Sequence, residues 1–597
     1  DLNFLVTGAA PAVLKLANPA FPERDTIAQD DAAAQVAAAF PELRIAQVLY
    51  RGDDPIRCVV QTSHGELVAR VLEFLPGGTF VDQPWLSPVV AARMGRIAGQ
   101  VSLALADFDH PGAERRLQWD LRSAAEIIAL IAPAISDPVE REAVEAATAQ
   151  AWAAVSAVSA ALPVQAGHFD LTDDNLVRGQ DGLPDGIIDF GDVSYSWRVA
   201  ELAITLSGLL HHTGPLVETV VAAVRAFHAI RPLTPQEADA LWPLVVLRGA
   251  VLVASGRQQT ALDADNAYAV NALDREWQIF ATATSVPLPV MTEVIRSALG
   301  SASEPLAVSG SRMLAEVPAQ LDLGVTADAT NDGAWLTPGL ADRLAADLRL
   351  AAAPWGVPRL SEAGTLSSEV PATVPTSATL WSTEARTLRA PWSGQVSAEA
   401  DRIVLRGAEL EVVLKGDLGS RPHPQPAEMA TAPAAAEQRP AAPQTAVPAA
   451  AGAPLVPDPD AAGFVRPVNA GSELATFRGR IEVQIRRRGV EVPLLVPADL
   501  APGWLALTAD PSVLLGLSPS ESVGSGPAPE RAAVADHLLS EREAHVADVQ
   551  EHYYATPPQI ERGWRDHLID TGARVFLDMV NNVTSVGHAH PRITAAV

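Results

Sequence analysis

Between residues 421 and 460 the chain reads RPHPQPAEMATAPAAAEQRPAAPQTAVPAAAGAPLVPDPD. Proline fixes φ and removes a backbone donor, so a tract this dense in proline enters neither a helix interior nor a central strand. It also has too few large apolar side chains to line a core. The tract therefore divides the chain, as a linker or as a long loop inserted into a β module. At roughly 100–200 residues per domain, 597 residues argue for three to five domains. The patterns on either side divide into 1–79 (a small, mostly strand lobe), 80–300 (helical), 301–417 (a linker plus a β-rich module), 418–463 (the tract), 464–517 (β-rich again), 518–534 (a second linker) and 535–597.

A net charge of −28 argues against nucleic-acid and anionic-membrane partners, which need a basic surface. Cys58 is the single cysteine, which excludes a disulfide framework and a cysteine-based zinc site and fits a reducing cytosol. The first eleven residues lack a basic, then apolar, leader pattern. Leu241–Gly256 is apolar but interrupted by Arg248, so a soluble cytoplasmic protein without membrane contact is expected. Two of the 43 cations are lysines, Lys15 and Lys415. A lysine surviving in such an arginine-biased chain marks a place where a compact ammonium is needed.

Alternation and turn residues predict a hairpin over Asn3–Thr7 and Ala12–Ala17, an Ala-rich helix near 25–39, and strands at Ile45–Tyr50, Ile56–Gln61 and Leu67–Phe74. Helical periodicity follows near 87–107, 123–133, 138–161, 199–211, 216–229, 235–255 and 264–283, broken by an irregular Gly/Asp stretch at 167–192. The chain opens inside a hairpin with no start signal, so sequence ahead of residue 1 is expected.

The irregular stretch carries the chemistry. His168-Phe-Asp170-Leu-Thr-Asp-Asp-Asn175 has the form H-x-D-x-x-x-x-N, and Ile188-Asp189-Phe190-Gly191-Asp192 follows, Asp189 lying fourteen residues past Asn175. Phosphoryl transfer from ATP needs a base at the attacking hydroxyl, oxygen ligands for Mg²⁺ and a cation on the phosphates. Asp170 fits the base, Asn175 and Asp189 the metal, and Lys15 the cation. His168 and Asp192 would face substrate or back these residues. A loop capping a helix around a core histidine is the bland alternative.

Together these motifs resemble the aminoglycoside-phosphotransferase/choline-kinase family, with a hydroxylysine-kinase-like flavour from N-F-x-V…V-L-K and the Asp-Phe-Gly-Asp form. The resemblance covers about 1–300. It implies a two-lobed protein-kinase-like domain using ATP and Mg²⁺ on a small amine or amino-alcohol substrate. It also implies adenine contacts from the interlobe segment Glu73, Phe74 and Leu75, which as a plain turn would need no ligand. Asp120 would face a substrate amine or stand as a surface acid. Members usually carry Gly after the His, where this chain has Phe169, and the helix expected to pair with the lysine offers Asp30 and Asp31. A non-catalytic kinase-like module that binds substrate or assembles a partner enzyme is the alternative.

Phe576-Leu-Asp-Met-Val-Asn581-Asn582 leading to Gly587-His588-Ala-His590-Pro591 resembles the opening of class III aminotransferases, including phospho-lyases. That implies the start of a fold-type I PLP domain over 535–597, a homodimer through it, and sequence continuing past Val597. PLP chemistry needs a lysine Schiff base, and no lysine follows Lys415. The middle module resembles the β-rich part of lysostaphin-type peptidases, but His423 is the single histidine in 301–530, which excludes their zinc chemistry. The arginines of 478–488 read as a solvated strand face. The expected whole is a multidomain protein of α+β and α/β class.

Overall fold

The computed structural model describes residues 2–8, 10–19, 22–62, 65–263, 267–363, 370–399, 401–419, 465–518, 538–542, 544–545, 559–579 and 587–597. The Pro/Ala tract, nearly all of the second linker, and Asn581 and Asn582 lie outside the described residues. The chain separates into one unit over Asp1–Glu304 with Gly526–Pro557 and another formed by Pro305–Ser525 with Pro558–Val597.

In the first unit, β1 (Leu2–Val6) and β2 (Ala12–Leu16) form the expected hairpin, and α1 (Glu23–Ala39) follows. Short β3 (Arg44–Ile45), β4 (Tyr50–Arg51) and β5 (Asp54–Pro55) lead into β6 (Arg57–Thr62) and β7 (Gly65–Glu73). The main sheet has the order β1-β2-β7-β6, antiparallel throughout. Its register sets Lys15 of β2 opposite Arg70 of β7. The run Ile45–Tyr50, expected as one strand, is only strand at its two ends.

The second lobe of this unit begins with α2 (Pro88–Ala104), whose Ser87 cap accepts from the Val90 N–H (3.2 Å), with Pro88 in the first turn. α3 (Ala124–Ile131) and α4 (Pro138–Val158) follow. Four short strands then interrupt the helices: β8 (Val164–Gly167) pairs with β11 (Ser194–Trp197), and β9 (Leu176–Arg178) pairs with β10 (Pro184–Ile187). α5 (Arg198–Leu209), α6 (Leu216–Ile230), α7 (Pro235–Leu262), α8 (Ala267–Thr284) and α9 (Leu288–Ala298) complete the lobe. Thr234 and Glu237 form a reciprocal capping box that starts α7. α7 is long and apolar enough to cross a membrane, yet 89% of its apolar window is buried in protein, and it serves as the central core helix.

The segment between the lobes is held by backbone geometry. Gly77 has φ +132°, and a Cβ there would stand 2.0 Å from the Arg178 carbonyl oxygen. Arg178 N–H donates to the Gly78 carbonyl (2.9 Å), and Arg44 donates to that of Pro76 (2.8 Å).

The second unit is built on a nine-stranded sheet around the strand Glu473–Arg487, flanked by Ala378–Arg389 and Leu410–Leu418. Phe477, Ile481, Val483 and Ile485 recur at even spacing on its core face, as a strand with one buried face requires. The expected solvated arginine face is corrected at Arg486. Cross-strand register sets it opposite Glu411, and it is buried in ion pairs with Glu411 and Glu491 (2.8 Å each). Near the C-terminus, Ile560–Trp564, His567–Asp570 and Val575–Leu577 make a three-stranded antiparallel sheet. Its Ile569 and Ala573 share a core with Val325, Trp335 and Leu360, so these residues pack as part of this unit.

Candidate active site

The loop after β8 is shaped by α5. Glu201 is buried, and its carboxylate accepts the backbone N–H groups of His168 (2.8 Å) and Phe169 (3.2 Å). Burial pushes its carboxyl up to about 7, against the two N–H bonds that favour the charge. Phe169 has φ +54°, the left-handed region, which explains why glycine is the usual residue there.

His168 is fully buried and joins the two motif segments. Its Nδ1 accepts the Asp170 N–H (3.2 Å), so Nε2 carries the proton and meets the Ile188 carbonyl (3.3 Å). Burial lowers its pKa to about 4. It is a neutral latch between the two segments.

Asp170 lies on the wall of a cavity of about 280 Å³ shared by Asn175, Asp189, Asp192, Trp119, Arg248 and Glu276. Asn175 Nδ2 donates to Asp170 Oδ2 (2.7 Å), and Arg248 Nη2 donates to Oδ1 (3.0 Å). Burial and the neighbouring Asp192 and Asp189 charges raise Asp170 far above the ordinary carboxylate range, against Arg248 and Asn175. Asp192 is raised too, first by burial and then by Asp189. Burial opposes the charge on Asp189 as well, but Lys15 and the Gly191 N–H (3.0 Å) outweigh it, and its pKa falls below the ordinary value. Lys15, buried on β2, pairs directly with Asp189.

Three carboxylates crowd one cavity wall with too little positive charge to keep all of them ionised. That donor set, with the Asn175 amide, fits a hard divalent cation bound through oxygen. Asp173, His211 and His212 form a second cluster, with Nε2 to Asp173 Oδ2 distances of 2.8 and 3.1 Å.

Several expectations meet a different geometry. Asp30 engages Arg57 and Arg70. Asp120 is not a surface acid. Its buried carboxylate accepts from Arg122 (2.7 Å) and from the Ser196 hydroxyl (2.7 Å), because the chain turns back on itself at Arg122. Glu73 ends β7 with its N–H on the Gln47 carbonyl (2.9 Å), followed by exposed Phe74 and half-buried Leu75. Arg248 and Glu276 were not foreseen as site residues. The signal for Arg248 was a lone charge in an apolar helical run; Glu276 gave none.

Asp170, Asn175, Asp189 and Lys15 thus come together from separate places in the chain. Residues 1–239 match the phosphotransferase enzyme family. Hydroxylysine kinases of Bos taurus and Mus musculus are 27% and 26% identical over 227 residues, 36% of this chain. The chain spans 59% of the length of these relatives. Among solved structures, the amicoumacin kinase hAmiN is similar at a TM-score of 0.36 and 14% identity, covering 48% of this chain and 89% of that one. A microcompartment-associated aminopropanol kinase follows at a TM-score of 0.36 and 17% identity, covering 47% and 87%. The N-terminal part is thus similar to that family over residues 1–239.

Proposed function

We propose that residues 1–300 transfer the γ-phosphoryl group of Mg²⁺-ATP to the hydroxyl of a small amine or amino alcohol. The observation that carries this is the convergence of Asp170, Asn175, Asp189 and Lys15 on one cavity and its edge. Asp170 accepts the hydroxyl proton as the oxygen bonds to the γ-phosphorus and the bond to the ADP oxygen breaks. Asn175 and Asp189 would hold the cation, which would supply charge neutralisation to the phosphates. Lys15 supplies a compact ammonium to the phosphates. His168 and Glu201 fix the backbone that aims Asp170.

The test is ATP-dependent phosphorylation across a panel of hydroxylated amines, read as ADP release and as a new phosphomonoester by ³¹P NMR. Turnover with one of them supports the reading. Nucleotide binding without turnover on any favours the non-catalytic module instead.

A PLP-dependent step in 535–597, and the homodimer expected with it, rest on the F-L-D…G-H-x-H-P pattern alone. The chain has no lysine after Lys415 to carry the cofactor, so its residues do not fit a PLP site and no step is assigned to one.

A further inference from the structure

Three segments of the first unit meet at a cluster that phosphoryl transfer does not use. Asp173 comes from the loop that carries Asp170 and Asn175, and His211 and His212 follow the C-terminal end of α5. The third segment leads into α2. Phe80 N–H donates to the Asp173 carbonyl (3.0 Å), and Thr213 N–H donates to that of Pro84 (2.8 Å). Gly208 lets the loop close on α5, since a Cβ there would stand 2.8 Å from Asp173 Oδ1. The two imidazole rings lie with their centres 3.9 Å apart. Both turn Nε2 to Asp173 Oδ2, at 2.8 Å from His211 and 3.1 Å from His212. All three side chains are less than a tenth exposed: 4% for Asp173, 9% for His211 and 2% for His212.

The protons do not balance at His212. Its Nδ1 lies 2.5 Å from the Gln83 carbonyl, an oxygen that only accepts, so Nδ1 carries the hydrogen. In the neutral ring Nε2 is then a bare lone pair, and it faces the lone pairs of a carboxylate. A positive centre shared by the two relieves the repulsion, either a second proton on the ring or a metal ion. Three observations favour the metal. A ring N–H held by a backbone carbonyl is the outer-shell contact that orients metal-binding imidazoles. One donor atom from each of the three residues lies within 4.8 Å of the others. The separations of 2.8 and 3.1 Å approach the roughly 3.3 Å between ligands bonded at about 2.0 Å to a tetrahedral ion. The C-terminal end of α5 also turns the negative end of its dipole toward this corner.

We infer that Asp173, His211 and His212 bind a transition ion of the Zn²⁺ type, which ties the loop of Asp170 to α5 and to the segment before α2. Two imidazoles and one carboxylate suit such an ion, whereas Mg²⁺ prefers oxygen alone. The ligands are distinct from Asn175 and Asp189, and the site stands whether or not residues 1–300 transfer phosphate. Asp173 and His211 line the cavity beside Asp170, so the ion's fourth position opens on it.

The experiment titrates Zn²⁺ into the full chain under saturating Mg²⁺, with affinity read by calorimetry and the ligand shell of the loaded protein by X-ray absorption. One ion should bind per chain, with two imidazole nitrogens at about 2.0–2.1 Å. Loading should raise the melting temperature of the first unit. His211→Gln and His212→Gln should each weaken binding by more than the roughly 10- to 100-fold that a lost outer-shell partner costs, while Asp189→Asn keeps it. A wild-type protein that fails to bind Zn²⁺, or binds it through oxygen alone, overturns the site whether or not the variants fold. Unchanged affinity in both histidine variants, or a loss confined to Asp189→Asn, places the ion elsewhere and overturns it as well.

Discussion

Lys15→Ala removes the cation that keeps Asp189 charged. Breaking a fully buried ion pair costs about 3–5 kcal/mol. Lys15 is 3% exposed, but Asp189 retains 38% of its side-chain surface, so solvent screening reduces the cost to about 2 kcal/mol. The direction follows from the opposing causes at Asp189. Burial pushes its pKa up, while Lys15 and the Gly191 N–H pull it down. Without Lys15 the upward push gains, and Mg²⁺-ATP affinity in the variant should weaken as pH falls, at a higher pH than in the wild-type protein. Lys15→Arg is the sharper test, because it restores charge without restoring shape. The residue opposite in the sheet is Arg70, already buried and donating to the Thr26 carbonyl (3.0 Å). A second planar fork beside it cannot take the place of a compact ammonium. Both variants should lose at least about 100-fold in phosphoryl transfer, or about 2.7 kcal/mol in the barrier. Single-turnover phosphorylation measures the loss, and calorimetry at two pH values measures the coupling. Wild-type rates in Lys15→Arg would refute the phosphate role, and pH-independent Mg²⁺-ATP affinity in Lys15→Ala would refute the coupling to Asp189.

Asp170→Asn should lower turnover by about 10²–10⁴-fold while leaving Mg²⁺-ATP affinity nearly unchanged, since it removes the proton acceptor and not a metal ligand; full activity would remove Asp170 from the mechanism. In the wild-type protein the raised Asp170 pKa predicts that kcat/KM climbs with pH above the ordinary carboxylate range, with an apparent value belonging to the Asp170–Asp189–Asp192 cluster; a limb near pH 4 would contradict this. Glu201 is raised to about 7 in the folded protein, so its protonated form adds stability below the ordinary glutamate range that is lost as pH rises through about 7. Calorimetric melting of the first unit should show that decline, and Glu201→Gln should flatten it; an identical slope in the variant would place the effect elsewhere. Gly77→Ala combines an unfavourable φ with a backbone clash and should destabilise the first unit by more than about 1 kcal/mol, read from the same melts.

Local chemistry made much of the first unit legible. The helices after residue 87 announce themselves by apolar periodicity and caps, and α7 carries Pro235 and the Thr234/Glu237 box in its first turn. Its far end was less legible: α7 continues to Leu262 and α9 (Leu288–Ala298) went unread, because the prolines at 287 and 289 look like a linker until one of them occupies a first turn. The strand run Ile45–Tyr50 failed for a different reason. Ile45, Ala46 and Val48 are buried by tertiary packing while the backbone bonds of the run go to scattered partners, Ala46 N–H to Ile187 and Leu49 N–H to Val71.

The motif residues stand out because H-x-D-x-x-x-x-N and Asp-Phe-Gly-Asp set polar residues at short, fixed spacing. What surrounds them does not. Glu201 acts from thirty-three positions away through two backbone N–H groups, a contact with no sequence period. Arg248 and Glu276 belong to helices whose spacing records only which face is buried, not what the buried charge meets. Phe169 shows how the two kinds of constraint combine. Read alone, a bulky residue in place of glycine looks like a damaged loop, and its left-handed φ costs about 1–2 kcal/mol. In the folded protein the ring is buried, 6% exposed, which returns about 1.5–3 kcal/mol, and Glu201 fixes the backbone N–H groups of His168 and Phe169. The departure from the family pattern is therefore compensated where it occurs, and the peptide that aims Asp170 keeps its direction because a buried carboxylate, rather than a glycine, holds the turn.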